Sequence, residues 1–172
     1  MPRLAGQIDL AKSEAILDAA SEVLGERGLS APMEEIARRA GVSKQTVYNH
    51  YGCKADLVRA LVDRRVDTIT APLREPGAEA HPEDALAAYA RTLLTIVTNR
   101  NYSLMRVIIQ SAGEMPDLAR AVFEAGPLRS RAQLAEFLDK ETRAGRMTIP
   151  DPRMAAEFFS GMVLGQRQTK AL

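Results

Sequence analysis

Apolar residues return at helical spacing along nearly the whole chain. Ile16, Ala20, Val23 and Leu24 come first, then Leu57 and Leu61, then Leu86, Leu93, Ile96 and Val97. No stretch sustains the apolar-polar alternation of a half-buried strand, so the pattern predicts an all-α fold. Gly, Pro and capping residues interrupt it at "ERGLSAP" (26–32), "AGVS" (40–43), "YGCK" (51–54), "PLREPGAEAHP" (72–82), "NRN" (99–101), "AGEMPD" (112–117), "EAGP" (124–127) and "RAGRMTIPDP" (143–152). These breaks leave about nine helices. The first three are short or medium and closely linked. The fourth, from about Lys54 to Arg74, is placed to connect two parts of the molecule.

Charge changes the picture in one window. The chain as a whole balances 23 Lys and Arg against 22 Asp and Glu, for a net charge of +1. Between Ile36 and Lys54, however, Arg38, Arg39, Lys44 and Lys54 stand without any Asp or Glu. A nearly neutral protein can attract a polyanion only through such a local patch. Reading Met33 to Ala40 as a helix, Gly41 to Ser43 as a turn and Lys44 to Tyr51 as a second helix accounts for the residue types. Ile36, Ala40, Val42 and Val47 fall where two crossing helices share a small core, and Ala37 is small where they approach. Gly41 can take the positive φ of a sharp helix exit. Ser43 suits the N-cap of the next helix, which then starts at Lys44.

In a helix-turn-helix, the first residues of the second helix meet base edges in the major groove. Here these are Lys44, Gln45 and Thr46: a donor for guanine, an amide for adenine and a methyl for thymine. Tyr48, Asn49, His50 and Lys54 are donors suited to phosphates, which position a duplex without reading it. A helical hairpin with a solvated basic face is the bland alternative.

These residues resemble the TetR/AcrR family of bacterial transcriptional regulators. "AILDAASEVLGERG" is similar to its opening helix, and "MEEIARRAGVSKQTVYNHYGCKADLV" follows its DNA-binding signature almost position by position. The resemblance implies base contacts from Lys44, Gln45 and Thr46. It implies phosphate contacts from Tyr48, His50 and Lys54, and a packing role for Tyr51. It also implies an N-terminal three-helix DNA-binding domain (1–53) and a C-terminal helical ligand-binding and dimerisation domain (54–172). "LMRVIIQSAGEMPDLARAVFEAGP" and "RAGRMTIPDPRMAAEFFSGMVLG" resemble the latter. Three departures stand out. Pro32 replaces a phosphate-touching Ser or Thr, Cys53 replaces a Ser or Thr cap, and relatives continue past "GQRQTKAL" into one more helix.

In the second half, the helix from about Asp151 to Gln166 is apolar on two sides. Met154, Phe158, Gly161 and Gly165 form one stripe, and Ala155, Phe159 and Met162 another. One side suits the protein's own core and the other a partner. The expected homodimer interface takes in Met154, Phe158, Gly161, Met162 and Gly165, matching a pseudo-palindromic operator in double-stranded DNA. Tyr89, Leu93, Tyr102, Met105, Arg106, Ile109, Gln110 and Phe123 are candidates to line a pocket for a small, apolar effector.

Other chemistries find little support. His81, Glu83 and Asp84 read as a helix opening at Pro82 with acids in its first turn. Two histidines and one cysteine make neither a catalytic constellation nor a metal site, so no enzyme, cofactor or metal is expected. Cys53 reads as a cap replacement, with oxidant sensing beside Lys54 as the alternative. The N-terminus lacks a signal peptide's apolar core, and no apolar run nears the ~20 residues of a membrane span. A cytoplasmic protein is expected, most simply a repressor released by its effector. The rival reading is a helical ligand-binding or interaction module without operator binding.

Overall fold

The computed structural model describes residues 5–98, 112–113 and 115–165, with side chains from residue 9 onward. Among these residues there are eight α-helices and no strand, as the spacing predicts. They are α1 (Ala5–Arg27), α2 (Met33–Ala40), α3 (Lys44–Tyr51), α4 (Lys54–Thr70), α5 (Pro82–Thr98), α6 (Pro116–Phe123), α7 (Arg129–Arg143) and α8 (Pro152–Leu164). None is long and apolar enough to cross a membrane. Helix α4 gives way at Thr70 to a single 3₁₀ turn, Ala71–Leu73, because Pro72 has no amide to donate to the α pattern.

The break expected at "EAGP" does not end a helix. Glu124–Leu128 forms a π turn that carries the backbone from α6 into α7 with Pro127 inside it. Widening the turn accommodates a residue that can neither donate nor tolerate the usual carbonyl four residues back. Gly126 is buried there, and a Cβ on it would lie 3.1 Å from Val62 Cγ1. A glycine serves for close approach, its φ being negative.

The chain folds as two compact units, Met1–Leu61 with Arg100–Val122 and Val62–Asn99 with Phe123–Leu172. In the first, α1 packs on α2 and α2 on α3. Its buried residues include Ile16, Ala20, Val23 and Leu24 of α1, Ile36 and Ala37 of α2, Val47 of α3 and Leu57 of α4. The anticipated partners Ala40 and Val42 are only half-buried.

In the second unit, α7 packs on α8, and Tyr89, Leu93, Leu134, Phe137, Leu138 and Ala156 share one core. The buried Tyr89 hydroxyl is 3.0 Å from Ser130 Oγ. Glu141 is fully buried, yet its carboxylate accepts from Arg146 Nε at 2.5 Å and Nη2 at 3.0 Å. Its backbone carbonyl takes the amides of Arg146 and Met147, so one residue anchors the turn after α7. Arg129 reaches back to α4, donating to Asp63 at 2.5 Å and Asp67 at 3.3 Å. Pro82 opens α5 with Glu83 and Asp84 in its first turn, and the exposed His81 ring comes only within 3.9 Å of Glu83. Among the described residues no group of three His, Cys, Asp or Glu side chains is placed to hold a metal ion.

Close approach at Gly126 gives a test of the packing. Gly126→Ala should destabilise the protein by about 1–2 kcal/mol by overpacking. Val62→Ala in the same background should relieve the clash, so the two losses in a denaturation series should be less than additive.

Candidate nucleic-acid interface

The turn between α2 and α3 has the geometry its residues call for. Gly41 adopts φ 67° and ψ 28°, a left-handed C-cap, and Val42 donates to Ala37 O at 3.0 Å to close the end of α2. Ser43 is extended, at φ −73° and ψ 153°, and its hydroxyl oxygen accepts from the Thr46 amide at 3.0 Å. Helix α3 therefore begins at Lys44. Buried Val47 sets its inner side, which leaves Lys44, Gln45, Tyr48 and Asn49 exposed and Thr46 half-buried. By contrast α2 starts on Pro32, which offers no side-chain cap.

The three candidate base readers are brought together in the first turn of α3, and each is already engaged. Lys44 pairs with Glu34 of α2 and sits 5.7 Å from the Tyr48 ring centre. Gln45 Nε2 donates to Asn49 Oδ1 at 2.8 Å, and the Thr46 hydroxyl lies 2.8 Å from Ser43 Oγ. The Lys44 ammonium, by its hydrogen bond, holds the Glu34 carboxyl below the usual carboxylate range, and Glu34 in turn raises Lys44. Both groups are charged at neutral pH.

The candidate phosphate donors are placed less uniformly. Tyr48 is exposed at the α3 surface. His50 is largely covered, with Nε2 3.2 Å from Asp9 and its ring tilted against Tyr51. Lys54 Nζ donates to Leu29 O at 2.8 Å, so it ties the loop before α2 to the start of α4. Tyr51, expected to pack, is half-buried, its hydroxyl 2.7 Å from Ser13 Oγ. Arg39 bridges Glu22 and Glu26 of α1 at 3.3 and 2.8 Å, and Arg38 approaches Glu35 at 3.9 Å. Arg39 and Lys44 of the acid-free window are thus paired with acids from outside it. Sequence spacing does not reveal Glu34 or Asp9, nor Glu22 and Glu26, because the turn folds α2 onto α3 and α1 reaches both helices from far along the chain. Exposed Cys53 donates to the Asp56 carboxylate at 3.0 Å across the first turn of α4.

In the other unit, Tyr89 and Leu93 are buried in the core and Phe123 is 47% exposed beneath Arg131. Tyr102, Met105, Arg106, Ile109 and Gln110 lie outside the described residues. An open groove of about 640 Å³ runs between α7 and the start of α8, lined by Leu128, Arg131, Ala135, Asp139, Asp151 and Glu157, and of the described pocket candidates Tyr89, Leu93 and Phe123 none borders it. On α8, Met154, Phe158 and Met162 are 48%, 64% and 75% exposed, and Gly161 and Gly165 lie open beside them, while Ala156 and Ser160 are buried. Met162 thus joins the Met154–Phe158 stripe rather than that of Ala155 and Phe159, because successive steps of four residues keep it on the outer side.

Two family models match the chain, one in each half. The family "Bacterial regulatory proteins, tetR family" matches residues 16–61, and "AefR-like transcriptional repressor, C-terminal domain" matches residues 84–172. The transcriptional activator FasR of Mycolicibacterium smegmatis is 46% identical over 61 residues, 35% of this chain and 28% of that protein, so the match spans less than a third of that relative. A TetR-family transcriptional regulator from Mesorhizobium loti is 32% identical, with a TM-score of 0.72 over 95% of this chain and 84% of that one. The flavonoid-responsive regulator FrrA, also 32% identical, has a TM-score of 0.66 over 96% of this chain and 83% of that one.

Removing either half of the turn device should be measurable. Gly41→Ala meets no atom within 4 Å, so its cost is the left-handed backbone alone, about 1 kcal/mol. Ser43→Ala should lose about 1 kcal/mol with the cap. Thermal unfolding of each variant checks both.

Proposed function

Because the chain belongs to the TetR family of bacterial regulatory proteins, we propose that it is an operator-binding repressor, a cytoplasmic homodimer released from DNA by a small apolar effector. The family consists of DNA-binding transcriptional regulators and not enzymes. Residues 1–53 make the DNA-binding domain and 54–172 the effector-binding and dimerisation domain. Repression is the choice among two outputs, since the relatives include both an AefR-like repressor domain and an activator.

The observation that carries the reading is the Gly41–Ser43 turn, which presents Lys44, Gln45 and Thr46 together in the first turn of an exposed helix. Lys44 reads guanine, Gln45 adenine and Thr46 a thymine methyl. Tyr48, Asn49, His50 and Lys54 grip phosphates and set the register. Gln45 and Asn49, bonded to each other in the free protein, exchange that bond for base and phosphate partners.

Exposure of Met154, Phe158 and Met162 on one side of α8 supports a second copy as the partner, since side chains of this size are seldom left in water together. Gly161 and Gly165 let two such helices approach. A dimer presents two recognition helices to two half-sites. The effector site takes in Tyr89, Leu93, Tyr102, Met105, Arg106, Ile109, Gln110 and Phe123. An effector that prefers the geometry with misplaced recognition helices weakens operator binding by its differential affinity, typically ~1–3 kcal/mol.

Fluorescence anisotropy on the DNA upstream of its own gene, against scrambled DNA, tests operator binding. Gln45→Ala should lose about 1–3 kcal/mol at one base position, whereas Lys54→Ala should weaken all sequences alike and flatten the salt slope. Equal, salt-labile binding to both DNAs would instead favour a helical ligand-binding or interaction module. For the dimer, Phe158→Asp should yield a monomer by sedimentation velocity and lose operator affinity while keeping its helical content.

A further inference from the structure

Glu34 is the one carboxylate placed directly against the candidate base readers among the described residues. It lies on α2, outside the acid-free window, and its side chain and that of Lys44 are 56% and 55% exposed. Its carboxyl also feels Lys54, a candidate phosphate donor. An exposed pair of this kind contributes little to folding. It nevertheless holds the charge of Lys44 in one place, at the entry of the recognition helix. We propose that Glu34 is a specificity-determining residue that restrains Lys44 from phosphates, so that the pair suppresses binding to non-cognate DNA. The inference rests on the DNA-binding reading above.

Electrostatics gives the direction. Sequence-independent binding is driven by cations that neutralise phosphates and release counterions. A lysine already paired with a carboxylate releases none until that pair breaks, and the freed carboxylate then faces the DNA backbone. A phosphate, which is available everywhere along a duplex, must therefore displace Glu34. On a cognate site the same displacement is offset by the acceptors of a guanine edge, which offer Lys44 a defined partner. The pair thus discriminates by weakening the wrong complexes more than the right one.

The test is the salt dependence of binding to scrambled duplex DNA, by anisotropy, for the full-length wild type, Glu34→Gln, Lys44→Gln and the double variant, with melting curves confirming that each is folded. Glu34→Gln should bind scrambled DNA more tightly, with the slope of log affinity against log salt steeper by about 0.9. Its gain over wild type should then be about three- to fourfold larger at 50 mM than at 200 mM salt. Adding Lys44→Gln should return the slope to that of the wild type. An unchanged slope in Glu34→Gln, or an equal steepening when Lys44 is already replaced, would overturn the inference while leaving wild-type operator binding intact. A wild type that binds no duplex at any salt would overturn the DNA-binding reading itself.

Discussion

Gly41 turns the chain through the left-handed region at φ 67°, and Ser43, two residues on, caps α3 by accepting from the Thr46 amide. Most side chains are excluded from that backbone conformation, and an uncapped helix start would leave its amides unpaired. Together the two residues fix where α3 begins and, because a helix presents successive residues at 100° steps, which residues its surface carries. With Val47 buried on its inner side, the exposure of Lys44, Gln45 and Tyr48 follows. A one-residue shift in the start would bury a different set.

The surface so presented is not idle. Lys44 is held by Glu34, Gln45 by Asn49, Lys54 by the carbonyl of Leu29, and Arg39 by Glu22 and Glu26. Lys44, Glu34, Glu22 and Glu26 are more than half exposed, so their pairings are weak in water and exchangeable. Lys54 differs from the rest, because its bond to Leu29 also ties a loop, so its charge and its contribution to the fold are coupled.

The second unit is organised by polar groups where apolar packing alone would leave ambiguity. The buried carboxylate of Glu141 is tolerable only because Arg146 meets both its oxygens, and the same residue's carbonyl gathers the following turn. Arg129 joins α7 to Asp63 and Asp67 of α4, and Gly126 lets the π turn approach Val62. With one side of α8 committed to this core through Ala156 and Ser160, Met154, Phe158 and Met162 are left on the other.

The helices, the turn at Gly41–Ser43, the start of α3 and the opening of α5 at Pro82 were legible in the sequence, because each depends on local chemistry: helical spacing, a glycine free to adopt positive φ, a capping hydroxyl, a proline. So was the trio at residues 44–46, given the start of the helix. The break expected at "EAGP" was not, since whether Pro127 ends a helix or sits in a widened turn depends on what packs beside Gly126. The assignment of Met162 was ambiguous for a similar reason, because a helix apolar on two sides does not say which is inward until a core has chosen. The partners of the basic residues lay beyond reach altogether. Glu34 meets Lys44 across a turn, and Asp9 meets His50 from another helix. Local chemistry along the chain sets the start of α3 and with it the exposure of Lys44, Gln45 and Tyr48; the charges that face them depend on the fold, because ion pairs are set by distance in space and not by spacing along the chain.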